Sequence, residues 1–184
     1  MRVLRLISFA GALLLIAAAA AAQDKCLVKG SFGGKPVNLT NCAAAFYDGK
    51  SVTIWITENT VAGDELDIFR ISSAPKNKDA QNQRRTMLSL AFCVGPTPSL
   101  AAIKEVSIDA SHSSSPMLSQ SWVLDYPQEK DVKFIKLAGT PKPGGRISGK
   151  VAGTKKEQDR VFTFDADFDV QLPQKPAGAG LSCP

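Results

Sequence analysis

Apolar and polar residues alternate over short stretches along most of the chain, which is the pattern of half-buried strands. The clearest stretch is 161–172. Phe162, Phe164, Ala166, Phe168, Val170 and Leu172 share one face, and Val161, Thr163, Asp165, Asp167, Asp169 and Gln171 share the other. A helix would spread these phenylalanines around its surface, whereas a strand points them all inward. Residues 51–58 alternate Val52, Ile54 and Ile56 against Ser51, Thr53, Trp55 and Thr57. Residues 86–94 are apolar on both faces and suit a central strand. Further strands are expected at 66–72, 104–110, 121–126 and 132–137. Residues 145–153 read as the hairpin partner of 161–172, with 154–160 as a polar loop. Within that partner Gly149 either weakens the strand or permits close backbone approach. Residues 41–47 fit one helical turn or a further strand.

Turn signals separate these stretches at Gly33-Gly34, Asp48-Gly49, Gly63-Asp64, Gly95-Pro96, Pro141 and Gly144-Gly145. Residues 73–85 read as a long polar loop, and 173–184 as an extended Pro- and Gly-rich tail. About eight short strands without a helical stripe predict an all-β fold: a single antiparallel sandwich or open barrel.

The first 22 residues are of another kind. Arg2 and Arg5 precede an apolar run over 6–22 that ends in alanines, and polar Gln23, Asp24 and Lys25 follow at once. A basic start, an apolar middle and small residues at the cut define a secretory signal. An uncleaved anchor needs about 20 strongly apolar residues, and the alanine-rich end falls short of that. Residues 23–184 are then one domain, periplasmic or secreted, with no membrane-spanning segment.

Export changes how the cysteines are read. Cys26, Cys42, Cys93 and Cys183 make an even set without C-x-x-C spacing, so disulfides are expected rather than a redox pair or a zinc ribbon. Three pairings are open. Cys26 with Cys183 and Cys42 with Cys93 is preferred here, because the first would clamp termini that otherwise fray; Cys26 with Cys42 would close only a short loop. Loss of Arg2 and Arg5 lowers the formal charge from +5 to +3. The basic residues are scattered among acids along the sequence, which gives no reason to expect nucleic acid as a partner.

Candidate chemistry is sparse. Asp165, Asp167 and Asp169 line one strand face and could hold a cation with help from Asp64 or Asp67. The calcium-loop pattern is missing, however: Val170 and Pro176 stand where Gly and Glu belong. A solvated strand face is the simpler reading. His112, the one histidine, lies near Asp109 and Ser113–Ser115. Triads are assembled from distant segments, and no nucleophile elbow is present. Trp55 and Trp122, with Tyr47 and Tyr126, are candidates for a stacking platform, although the polar face bearing Trp55 could equally be core. Asn38-Leu39-Thr40 matches a glycosylation sequon, discounted here because the alanine-rich signal has a bacterial style. No cofactor motif is present.

The cysteine layout around Gly30-Ser-Phe-Gly-Gly-Lys-Pro-Val37, then Phe92-Cys93, Ile147-Ser-Gly149 and Phe162-Thr-Phe164, resembles small exported bacterial four-cysteine β proteins of unassigned function. The resemblance covers most of the chain after residue 22, rests on structural motifs and implies no activity. The expected function is therefore non-enzymatic binding of an exported protein, an envelope polymer or a small molecule. A metal-assisted hydrolase built on the aspartates and a structural envelope component are the alternatives. Loops 73–85 and 111–120 are the first places to look for contacts.

Overall fold

The structure is a computed structural model. It describes residues 23–47, 51–60, 86–93, 103, 105–112, 119–125, 130–157, 159–175, 177 and 183. Every described element is a strand: β1 (Lys25–Phe32), β2 (Lys35–Leu39), β3 (Asn41–Tyr47), β4 (Ser51–Thr57), β5 (Met87–Cys93), β6 (Glu105–Ser111), β7 (Ser119–Asp125), β8 (Val132–Gly139), β9 (Arg146–Glu157) and β10 (Arg160–Gln171). They form two five-stranded sheets. Sheet A runs β2-β1-β10-β9-β8 and sheet B runs β3-β4-β5-β6-β7, with all named pairs antiparallel. No strand of one sheet is hydrogen-bonded to a strand of the other, so the fold is a sandwich and not a closed barrel. Neither the signal segment, residues 1–22, nor the strand expected at 66–72 falls among the described residues.

The chain enters sheet A through a tight hairpin. Gly33 and Gly34 take φ of 57° and 83°, so the two-residue turn has the left-handed backbone that side chains resist. Phe32 thereby pairs with Lys35. Pro36 lies in β2, an edge strand, where a missing N–H costs least. Thr40 alone separates β2 from β3, so the chain passes from one sheet to the other in a single residue. Asn41 secures that corner by donating from Nδ2 to the carbonyl oxygens of Glu58 (2.8 Å) and Thr57 (3.3 Å). Strands β3 to β7 then meander, after which β8, β9 and β10 return to sheet A. There β1 pairs along its whole length with β10, from Lys25 opposite Asp169 to Phe32 opposite Phe162.

The inward residues of both sheets form one apolar core. Val28 and Phe32, Ile54 and Ile56, Leu88, Leu90 and Phe92, Ile147 and Val151, and Phe162, Phe164 and Phe168 all belong to it. Phe92 of sheet B meets Phe134 edge-on at 5.6 Å and Phe168 at 6.3 Å, both from sheet A. Each ring buried this way contributes about 1.5–3 kcal/mol. The phenylalanines of β10 also need room beside them. A Cβ on Gly149 would lie 2.4 Å from the Phe168 ring, and one on Gly153 would lie 2.4 Å from the Phe164 ring. The glycines of β9 are therefore where the aromatic rings of β10 lie over the neighbouring strand.

Two expectations are corrected here. Residues 154–157 are not loop: β9 continues to Glu157 and pairs with Arg160. Their polar composition reflects the tip of a long hairpin, where Thr154 and Lys156 are exposed. The cysteines pair as Cys26–Cys42 and Cys93–Cys183, with Cα separations of 5.7 and 5.6 Å, and not as Cys26–Cys183 and Cys42–Cys93. The first and last strands are instead joined by the β1–β10 ladder, which leaves the disulfides other work. Cys26–Cys42 ties β1 of sheet A to β3 of sheet B beside the one-residue corner. Cys93–Cys183 anchors the tail to the end of β5. In the same tail Ala177 bridges to Tyr47, donating its N–H to the Phe46 carbonyl at 2.8 Å. Tyr47, Ser51 and Cys93 lie in one row across β3, β4 and β5, so the tail is attached at both ends of that row.

Candidate ligand-binding face

The two sheets present very different outer faces. On sheet B the outer residues of β4, β5 and most of β3 are buried. Ala43, Ala45, Tyr47, Trp55 and Met87 form a second apolar cluster with Ala177 packed against it. Trp55 is 0 % exposed, so the expectation that its ring offers a surface platform is corrected. Its cross-strand partner Ala43 is small and leaves space for the indole. Its other partner, Ser89, is 2 % exposed, and neither the Trp55 Nε1 nor the Ser89 Oγ has a hydrogen-bond partner. Trp122 is placed by backbone register alone, opposite Ile108. Tyr126, Asp64, Asp67 and loop 73–85 lie outside the described residues, as does most of 111–120.

The outer face of sheet A is open to solvent. Antiparallel pairing aligns its side chains in rows. One row reads Asn38, Lys29, Asp165, Ala152 and Lys133 across the five strands. The next reads Leu27, Asp167, Lys150 and Lys136, and a third Lys25, Asp169, Ser148 and Ala138. Asp165, Asp167 and Asp169 thus form the central column, as their alternation predicts. Two cations of β9 offset most of its charge. Lys150 Nζ lies 2.9 Å from Asp165 and 3.3 Å from Asp167, and Arg146 Nε lies 2.6 Å from Asp169. The two aspartate hydrogen bonds raise the Lys150 pKa above 10.5, so its ammonium stays charged. Arg146 also reaches Asp24 at 3.5 Å and the Gln23 carbonyl at 3.0 Å, fastening the start of the described chain to the end of β10.

A lysine ammonium therefore occupies the position between carboxylates that a bound cation would take. Among the described residues, no group of three or more His, Cys, Asp or Glu side chains is arranged to hold a metal ion. His112 follows β6 on the other sheet, away from these aspartates. The structure does not bring the two sets of candidate acid–base groups together.

Outside this column stand residues that sequence reasoning missed. Lys25 and Lys29 on β1, and Lys133 and Lys136 on β8, are exposed and make no ion pair among the described residues. The basic residues are scattered in sequence but gathered by the fold. Lys25 and Lys29 lie on β1, whose period is interrupted at Gly30. Lys133 and Lys136 are not legible from alternation, because an odd spacing of three should place them on opposite faces. A bulge between Phe134 and Lys136 absorbs one residue, exposes Ile135 and returns both lysines to the same face.

Two shallow clefts lie among these side chains. The larger, about 560 Å³, has Lys29 on one side and Lys130 and Lys133 on the other, with Thr154, Thr163 and Asp165 between. Its floor is the small side chain of Ala152 and the backbone of Gly30 and Gly153. The smaller, about 360 Å³, has Lys25 and Lys136 at its sides, Ser148 and Gly149 in its floor, and Asp167 and Asp169 between. The aromatic residues lining the clefts, Phe164 and Phe168, are buried in the core.

The chain matches no protein-family model, no curated protein and no solved structure. Its two disulfides and all-β architecture are direct findings, and no helix among the described residues is long and apolar enough to cross a membrane.

Proposed function

We propose that this protein is an exported binding domain, working in the periplasm or outside the cell, whose contact surface is the outer face of sheet A. The observation that carries this reading is the contrast between the faces: the outer residues of β4, β5 and most of β3 in sheet B are buried, whereas sheet A keeps one side open and carries lysines that make no ion pair among the described residues. Charges held out of ion pairs on a rigid sheet are available to a partner, and complementary charge directs both encounter and orientation. The disulfides support export, since such bonds persist in oxidising compartments, and the signal pattern of residues 1–22 agrees. A binding role also fits the aspartates. Locked to Lys150 and Arg146, they hold the face in register and are poor candidates for acid–base work.

The test is retention on envelope material isolated from the producing cell. Lys29→Glu combined with Lys133→Glu, and separately Ala152→Arg to fill the larger cleft, should each reduce sedimentation with that material at least tenfold. Circular dichroism should show the fold unchanged. Equal retention of folded variants would refute the assignment of this face.

A further inference from the structure

The two clefts on the outer face of sheet A repeat one composition. In each, exposed lysines stand on both sides, carboxylate oxygens lie between them, and a small side chain, Ala152 or Ser148, opens the floor. The lysines at the ends of one row, Lys29 and Lys133, are three strand spacings apart, roughly 14 Å. Along β10 the rows through Asp165 and Asp169 are separated by four residues, roughly 13 Å. A surface that repeats its own chemistry along one direction matches a ligand that also repeats.

The groups in the clefts narrow the chemistry. The lysines call for anions. Thr154 and Ser148 offer hydroxyls, and Thr163 accepts the Ser31 N–H at 3.1 Å, leaving its own O–H to donate. The aspartates, each already held by a cation, present further acceptor oxygens toward solvent. Such a set suits a partner that carries many hydroxyls as well as negative charge. Two other anionic partners fit less well. Single-stranded nucleic acid is gripped through stacking on aromatic rings, and protein interfaces centre on aromatic or apolar anchors; the aromatic residues lining the clefts, Phe164 and Phe168, are buried in the core, and the exposed apolar residues Ile135 and Val161 line neither cleft.

Building on the binding role assigned to this face, we propose that its ligand is an acidic polysaccharide, a chain of carboxylated sugars lying along β10 and spanning both clefts. The lysines of β1 and β8 hold its carboxylates from either side, and Thr163, Thr154 and Ser148 meet its hydroxyls.

The test is a nitrogen-15 NMR titration of the oxidised protein with tetragalacturonate, maltotetraose, a polyglutamate peptide and a short single-stranded oligonucleotide. Tetragalacturonate should shift amides of Lys29, Lys133, Thr154 and Thr163 together with Lys25 and Ser148. Maltotetraose should not. Binding should weaken at least tenfold in Lys29→Glu/Lys133→Glu and several-fold in Thr154→Val/Thr163→Val, and it should fall as salt rises. If polyglutamate or the oligonucleotide shifts this face while tetragalacturonate does not, the sugar assignment fails and the face assignment survives. Shifts confined to another surface, or none with any probe, overturn both.

Discussion

Gly149 puts two physical effects in opposition, and their balance decides whether the β10 rings sit as described. In a strand interior, replacing glycine by alanine removes backbone freedom from the unfolded chain and should stabilise by about 0.5–1 kcal/mol. Here the new methyl would lie 2.4 Å from one Phe168 ring carbon, 3.0 Å from another, and 2.9 Å from the Lys136 carbonyl oxygen. The carbonyl belongs to the neighbouring ladder and cannot swing aside. The ring is 3 % exposed and also lies against Phe92, so it has little free space to enter. Overpacking of this kind costs about 1–3 kcal/mol. The net expectation for Gly149→Ala is a loss of about 1–2 kcal/mol, a fall of roughly 1 M in the urea midpoint at an ordinary slope. A cycle with Phe168→Leu sharpens the test. Leucine withdraws the far end of the ring, so Gly149→Ala should cost at least 1 kcal/mol less in that background. Urea unfolding of the oxidised protein, followed by circular dichroism, measures all four species. A neutral or stabilising Gly149→Ala, or strictly additive costs, would refute the packing of Phe168 over β9.

Three further outcomes follow from the same structure. Replacing Cys93 and Cys183 by alanine frees a closure of 90 residues, against 16 for Cys26 and Cys42. The chain-entropy relation then gives losses of about 4.6 and 3 kcal/mol, and urea melts that reverse this order would contradict it. Ser89→Ala deletes a buried hydroxyl that has no partner, so it should be neutral or stabilise by up to about 1 kcal/mol; a clear loss on thermal unfolding would show that the hydroxyl is bonded. Lys150 gains affinity for its proton in the folded state, so its contribution to stability is complete below pH 10.5 and disappears as pH rises through its raised pKa. Lys150→Met should therefore flatten the alkaline limb of the stability profile and leave it unchanged if the ammonium were unpaired.

Much of this architecture is visible in the sequence because alternation and burial coincide. The six inward residues of 162–172 all prove buried, and residues 51–57 and 87–93 are strands at the expected places. Where legibility fails, a specific cause can be named. β1 is obscured because Gly30 interrupts its inward series of Cys26, Val28 and Phe32; a Cβ there would lie within van der Waals overlap of the Thr163 carbonyl oxygen on β10. The polar stretch 154–157 imitates a loop because it lies at the tip of that hairpin, beyond Gly153, where no large apolar side chain of β9 turns inward. Trp55 sits on a face whose Ser, Thr and Ala neighbours suggest exposure, yet β4 and β5 are buried on both faces, which periodicity within one strand does not reveal. The disulfide pairing depends on how β2 turns into β3, and the lysine rows depend on the β8 bulge. Both are properties of register between strands rather than of any one segment.

The aspartates illustrate how far a motif can be read. Their shared face was legible from spacing alone. That they serve as partners for Lys150 and Arg146 follows from neighbours on the adjacent strand, distant in sequence, since Asp167 lies opposite Lys150. Pairing three aspartates with two cations leaves little net charge in the middle of the face, and the positive charge stands in the outer columns with Lys25, Lys29, Lys133 and Lys136.

The role assigned to that face is tested most directly by lysine labelling read residue by residue. The oxidised protein is treated with an amine-reactive reagent, free and bound to envelope material, and the modified peptides are quantified by mass spectrometry. Lys25, Lys29, Lys133 and Lys136 should react readily in the free protein and be protected several-fold on binding, while Lys142 and Lys175 stay unchanged. Equal labelling of the four in both states, or protection centred on other lysines, would contradict the account.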